Sequence, residues 1–151
     1  MAKKLTLRQL LKRLKRTAHK LWRECVLMKF DGKCVVCGAT VLPNCHHIVS
    51  EHLFSWMRYN PDNGIVLCPS HHKFNRFSAH KNALWFVRVI LYGVLGEIGM
   101  VKLITDMMET HTEKFVWTVE LYQEEIKKLE EWKATFKERQ KERAEWTSKA
   151  S

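Results

Sequence analysis

From residue 7 to residue 26, Leu7, Leu10, Leu11, Leu14, Ala18, Leu21, Trp22, Cys25 and Val26 recur at steps of three and four. This lays one continuous apolar stripe along a helix. Thr6 suits the N-cap, and Asp31-Gly32 ends the helix with turn chemistry. Cys25 lies on the stripe and is read as core packing rather than as a ligand. The pattern then changes. Cys34 to Cys37, followed by Gly38, predicts a tight turn, and residues 40–42 and 48–49 predict short strands around Pro43-Asn44. His46-His47 opens the second strand. Residues 51–62 form a longer loop carrying Phe54, Trp56, Arg58 and Tyr59. Asn63-Gly64 is a turn signal, Ile65-Val66-Leu67 a short buried strand, and Pro69-Ser70 the start of a helix through His72, Asn75 and Arg76.

Beyond His80 the periodicity is wholly helical. Asn82 caps a helix to about residue 95, with Gly93, Gly96 and Gly99 breaking or bending it, and a second helix spans about 97–109. A third starts at Thr112, with Phe115, Val119, Tyr122, Ile126, Leu129 and Phe136 approximating a heptad. That stripe suits packing on its own domain and a dimer seam equally. Residues 137–151 are charged, lack a stripe and are expected to fray. The expected fold is α+β and mostly helical: a basic amphipathic helix over 1–33, a small metal-bound core over 33–80, and a helical region over 81–151 packed on or extending the same domain.

At 151 residues the chain is long enough for a core without disulfides. Its net charge of +10 is concentrated: residues 1–33 carry eleven Lys/Arg against two acids, whereas 81–151 are balanced at twelve each. Such an arm fits a polyanion, because binding phosphates releases counterions. Arg8, Lys12, Lys15, Arg16, Lys20 and Arg23 fall mostly outside the apolar stripe, so the helix can bury one face and offer the other. The arm shows no secretory pattern, and the C-x-x-C spacing suits a reducing compartment, so a cytoplasmic location is expected. The apolar stretch over 83–101 contains Arg88, Glu97 and three glycines. It is read as a buried helix, with no membrane partner.

Six of the eight histidines and four of the five cysteines lie between Cys34 and His80, and thiolate with imidazole is the ligand set of zinc. Cys34, Cys37, Cys68 and His71 can close a tetrahedral structural site. Cys68-x-x-x-His72 would serve too, and Cys45 is an alternative thiolate. His46, His47, Asn63 and His72 then remain. Neighbours on a strand point to opposite sides, so His46 and His47 are expected to divide their roles, one binding a metal and the other taking a proton from water.

Taken together, Cys34-x-x-Cys37, His46-His47-Ile48, Asn63-Gly64-Ile65-Val66-Leu67-Cys68 and His71-His72 resemble the HNH endonucleases. The flanking Trp22-Arg23-Glu24 and Ala79-His80-Lys81-Asn82 are similar to small phage-type HNH proteins. The resemblance implies a zinc-supported ββα-metal core that cleaves DNA to a 5′-phosphate and a 3′-hydroxyl. It implies His47 as general base, His46 and His72 as ligands of a catalytic Mg²⁺, Mn²⁺, Ni²⁺ or Zn²⁺, and Asn63 as the residue orienting the loop or the His47 ring. The helix would lie in or near the minor groove with mainly backbone contacts, so sequence reading would be weak. DNA would be held by Arg8, Lys12, Arg13, Lys15, Arg16, Lys20 and Arg23 on the arm, and by Lys73 and Arg76. Two positions depart from the family pattern. His71 stands where a Cys usually completes the zinc site, and Arg76 replaces a third histidine, so a three-histidine site requires His80 or Asn75 to reach in. A zinc-stabilised nucleic-acid-binding module without catalysis is the competing reading. In a third, the C-terminal helices form a homodimer or recruit the protein to a larger phage or host machine.

Overall fold

The computed structural model describes residues 5–108 and 115–149. Among the described residues helices dominate, with one small two-stranded sheet. By its internal contacts the chain divides into two compact units, Met1–Cys25 with Trp117–Ser151, and Val26–Val116.

Helix α1, Leu7–Lys29, begins with a reciprocal cap. Thr6 Oγ1 accepts from the Gln9 amide at 3.3 Å, while Gln9 Oε1 accepts from the Thr6 amide at 2.9 Å. Its end is set by Asp31 and Gly32, both at positive φ, with the Gly32 amide donating to the Leu27 carbonyl. Ala18, Trp22 and Cys25 are buried on the stripe, whereas Arg8, Lys12, Arg13, Lys15, Arg16 and Lys20 are exposed. In the same unit, helix α4, Val119–Lys149, buries Tyr122 and Leu129. The Cys25 thiol donates to the Leu129 carbonyl at 3.7 Å, and Glu24 pairs with Lys133. Two positions of the near-heptad stripe, Tyr122 and Leu129, are therefore buried inside this unit. Burial pushes the Cys25 thiol up to about 11, leaving it a neutral packing group. Helix α4 continues to Lys149, so the fraying expected from residue 137 is not seen. Alanine, glutamate, lysine and arginine have good helix propensity, which extends α4 past its last apolar contact. The predicted start at Thr112 lies outside the described residues, as does His111; α4 itself begins at Val119.

The second unit is built on strands β1, Asn44–His47, and β2, Gly64–Leu67. They pair antiparallel with Asn44 opposite Leu67 and His47 opposite Gly64. Residues 40–42 and 48–49 are not strand; the pairing partner available on β2 is four residues long and selects the polar segment between them. All four β2 residues are buried. Ile65 and Leu67 pack with Cys34, Cys68 and Ile90, and Val49 and Met57 pack with Leu103. After β2 a single π-helical turn, Ser70–Phe74, takes the place of the longer predicted helix, and Asn75 leaves it with extended backbone. Asn75 and Arg76 thus lie beyond the turn.

Helix α2, Ala83–Phe86, is capped by Asn82 Oδ1, which accepts from the Trp85 amide, and continues as a π-helical stretch, Val87–Leu95. Helix α3, Gly96–Met108, follows directly, with Gly96 at φ +63° supplying the break. The apolar composition of this run predicts burial, and most of it is not buried. By length and composition it is also long and apolar enough to cross a membrane. Leu84, Tyr92, Ile98, Val101 and Met108 are exposed, while Lys102 pairs with Asp62, and Asp106 accepts hydrogen bonds from Trp56 and Asn60. Lys102 and Asp106 thus fasten α3 to the loop between the strands, while several apolar residues stay exposed.

Candidate metal centres

Among the described residues, two clusters of metal-ligating side chains lie in the Val26–Val116 unit: Cys34, Cys37, Cys68 and His71, and His46, His72 and His80.

The first is assembled by a turn and a strand end. The Gly38 amide donates to the Cys34 carbonyl, and Gly38 takes φ +73°, a left-handed conformation that glycine adopts without strain. The Val35 amide donates to the Val66 carbonyl, docking this turn against β2, whose last residue precedes Cys68. Cys37 Sγ and Cys68 Sγ are 3.9 Å apart, and His71 Nδ1 is 3.6 Å from Cys34 Sγ and 3.2 Å from Cys68 Sγ. A tetrahedral zinc ion with ordinary bond lengths separates its sulfurs by about 3.8 Å and sulfur from nitrogen by about 3.5 Å. The donor set and spacing therefore fit zinc. Burial raises the Cys34 thiol, but the backbone N–H groups of Cys68, Cys37 and Val36 outweigh it and bring it down to about 6. That favours the ligating thiolate. His71 belongs to this cluster, its ring stacked 6.0 Å from Trp85, and Cys45 is not among the four.

His72 turns to the second cluster. Its Nε2 lies 3.2 Å from His80 Nε2, and the His46 ring stands 5.2 Å from His72 and 5.0 Å from His80. The candidate ligand atoms of all three lie within 4.8 Å of one another. Spacing alone gives His80 no firm role. It is eight residues beyond His72, a separation no single helix face explains. The chain leaves the helical turn at Asn75 and returns, so that the Ala79 and His80 amides donate to the His71 and His72 carbonyls. The Asn75 break and the Asn82 cap are the signals of this return that the sequence carries. Burial, then the positive fields of His72 and His80, lower His46 to about 3. Burial, then His80 and Lys73, lower His72. Histidines kept neutral in this way carry the lone pair that a metal needs.

His47 follows His46 on β1 but makes different contacts. Its Nε2 lies 2.8 Å from the Arg58 carbonyl. A carbonyl only accepts, so Nε2 carries the proton and, in the neutral ring, Nδ1 carries the lone pair. Burial lowers the His47 pKa despite the raising effects of the Arg58 carbonyl and Glu51. Arg58 is itself held by Glu51, Nε to Oε2 at 2.9 Å. Asn63, fully buried, secures the same loop: Oδ1 accepts from the Val49 amide at 2.7 Å, and Nδ2 donates to the Val49 and Met57 carbonyls at 3.1 Å each. Its side chain thus orders the loop that carries Arg58. Lys73 and Arg76 are exposed near His72 in sequence, with the Arg76 guanidinium 4.9 Å from the Phe77 ring centre. His52 is exposed.

The chain matches no protein-family model, no curated protein and no solved structure.

Proposed function

We propose that this chain is a metal-dependent endonuclease of the HNH type, hydrolysing DNA phosphodiester bonds with little sequence preference. One observation carries the reading: the imidazoles of His46, His72 and His80 converge beside a strand whose next residue, His47, has its tautomer set by a backbone carbonyl. Convergent nitrogen ligands suit a divalent transition ion, with Mn²⁺, Ni²⁺ and Zn²⁺ better matched than Mg²⁺. A cation held there would polarise the phosphate as a Lewis acid. His47 Nδ1 takes a proton from water as the water oxygen attacks phosphorus. The bond from phosphorus to the 3′ oxygen breaks, leaving a 5′-phosphate, and the 3′ oxygen takes its proton from solvent. Asn63 is a positioning residue, acting on His47 through the loop that presents the Arg58 carbonyl. Cys34, Cys37, Cys68 and His71 would hold a structural zinc. The exposed cations of α1, together with Lys73 and Arg76, contact phosphates of any sequence.

The test is plasmid nicking in the presence of several divalent ions. Wild type relaxes supercoiled plasmid, and His47→Ala loses at least about a hundredfold in rate, the usual contribution of a general base, with zinc content and DNA affinity unchanged. A wild type that leaves plasmid supercoiled with every ion establishes the zinc-stabilised binding module instead.

A further inference from the structure

We propose that Leu42 and Phe74 form an apolar wedge that holds an unstacked base beside the phosphate to be cut, so that the preferred substrate is DNA with an unpaired or weakly stacked nucleotide at that point. The proposal rests on the nuclease reading above and names its substrate class.

A groove of about 400 Å³ is lined by Leu42, Pro43, Asn44, Pro69, His72, Lys73 and Phe74. His72 is both a wall of this groove and a member of the histidine cluster. A nucleotide whose phosphate lies at the cluster therefore has its own sugar and base within reach of the groove. Lys73 supplies a cation for the neighbouring phosphate. The groove's apolar side is presented outward: Leu42 is 72% exposed and Phe74 74%.

Leu42 is the informative residue. It stands at φ +50°, where a bulky side chain is an outlier, and it precedes Pro43, which favours extended backbone at the position before it. Asparagine or glycine would make this turn without strain, and the exposed Leu42 side chain contributes little to a core. Backbone strain at such a residue is retained where the side chain is used. Both walls are also fixed. Asn44 Nδ2 donates to the Leu42 carbonyl at 2.9 Å, and Lys81 Nζ donates to the Phe74 carbonyl at 2.9 Å. An apolar wedge on fixed backbone can part adjacent bases, and an aromatic face can stack on the base released.

Two measurements on the full chain test this, using Leu42→Asn and Phe74→Ala singly and together. Leu42→Asn tolerates the left-handed backbone and controls for folding. The first measurement is the ratio of cutting on a duplex with one unpaired base at the mapped site to cutting on its fully paired counterpart. The ratio rises about tenfold in the double variant, because only the paired duplex needs the wedge. The second uses His47→Ala protein bound to a duplex carrying 2-aminopurine beside the cut. Fluorescence rises on binding, and adding the double substitution abolishes the rise. Wild-type cutting with no fluorescence rise and an unchanged ratio overturns the wedge alone. Wild type that cuts no DNA with any ion overturns the nuclease reading and the wedge with it.

Discussion

Asn63 is one of two fully buried polar side chains among the described residues of the strand-bearing unit. It is fully buried and uses both amide atoms to tie three backbone groups of the loop before β2. Asn63→Ala leaves the Val49 amide without its acceptor and the Val49 carbonyl without its donor, while the Met57 carbonyl keeps only the Asn60 amide, and should cost about 3 kcal/mol. The urea midpoint measures this. The same variant should slow DNA nicking, because the Arg58 carbonyl on this loop orients His47. Asn63→Asp keeps the acceptor but sets a second carboxyl oxygen against two carbonyl oxygens in a buried site, so it should be at least as destabilising as Ala. The identity of Asn63 was legible from its place between a turn and a buried strand. Its hydrogen-bond partners were not, because they come from residues six and fourteen positions away across an irregular loop.

Asp62, one residue earlier, joins elements rather than atoms. It pairs with Lys29 at the end of α1 at 2.8 Å and with Lys102 on α3. Burial raises its carboxyl, but the hydrogen bonds and charges of Lys102 and Lys29 outweigh that and hold it below the usual value of 3.8. The folded pKa is depressed, so the pairing contributes fully above the unfolded pKa and disappears as pH falls through the folded one. Asp62→Asn should therefore flatten the acid limb of a stability profile below about pH 5, read from denaturation midpoints across pH. In the other unit, Leu129→Ala should cost about 3 kcal/mol by opening a cavity under α4, measurable as a lowered thermal midpoint. Elements with a clear period, α1 and α4, were legible from sequence. The stretch over 83–101 was placed as helix and expected to be buried, and most of it is not. Its apolar composition suggested a core, whereas Lys102 and Asp106 are paired with the loop before β2 and several apolar residues are exposed.

For the whole molecule, charge and metal make separable predictions. Replacing Lys12, Arg13, Lys15 and Arg16 by glutamine should weaken binding to all DNA sequences alike. It should also reduce the slope of log affinity against log salt by about 0.9 for each phosphate that α1 no longer neutralises. An unchanged slope would remove α1 from the interface. On the proposed structural zinc, a chelator should unfold the Val26–Val116 unit, because that ion would tie Cys34 and Cys37 of the first turn to Cys68 and His71 after β2. Disappearance of the near-ultraviolet circular dichroism, reversed by zinc, is the readout.

The sequence alone determined the helical stripe of α1, its cap at Thr6, the buried strand β2, and the supply of soft and imidazole ligands between Cys34 and His80. These are local properties, set by side-chain period and by donor chemistry. Tertiary structure decided which histidine serves which cluster. His71 and His72 are adjacent, and only the π-helical turn after Cys68 sends one ring to the cysteines and the other to His46. It also brought in His80, through a chain reversal at Asn75 that no regular spacing encodes. Ligand type is written in the residue, but convergence on one point depends on how distant segments of backbone meet.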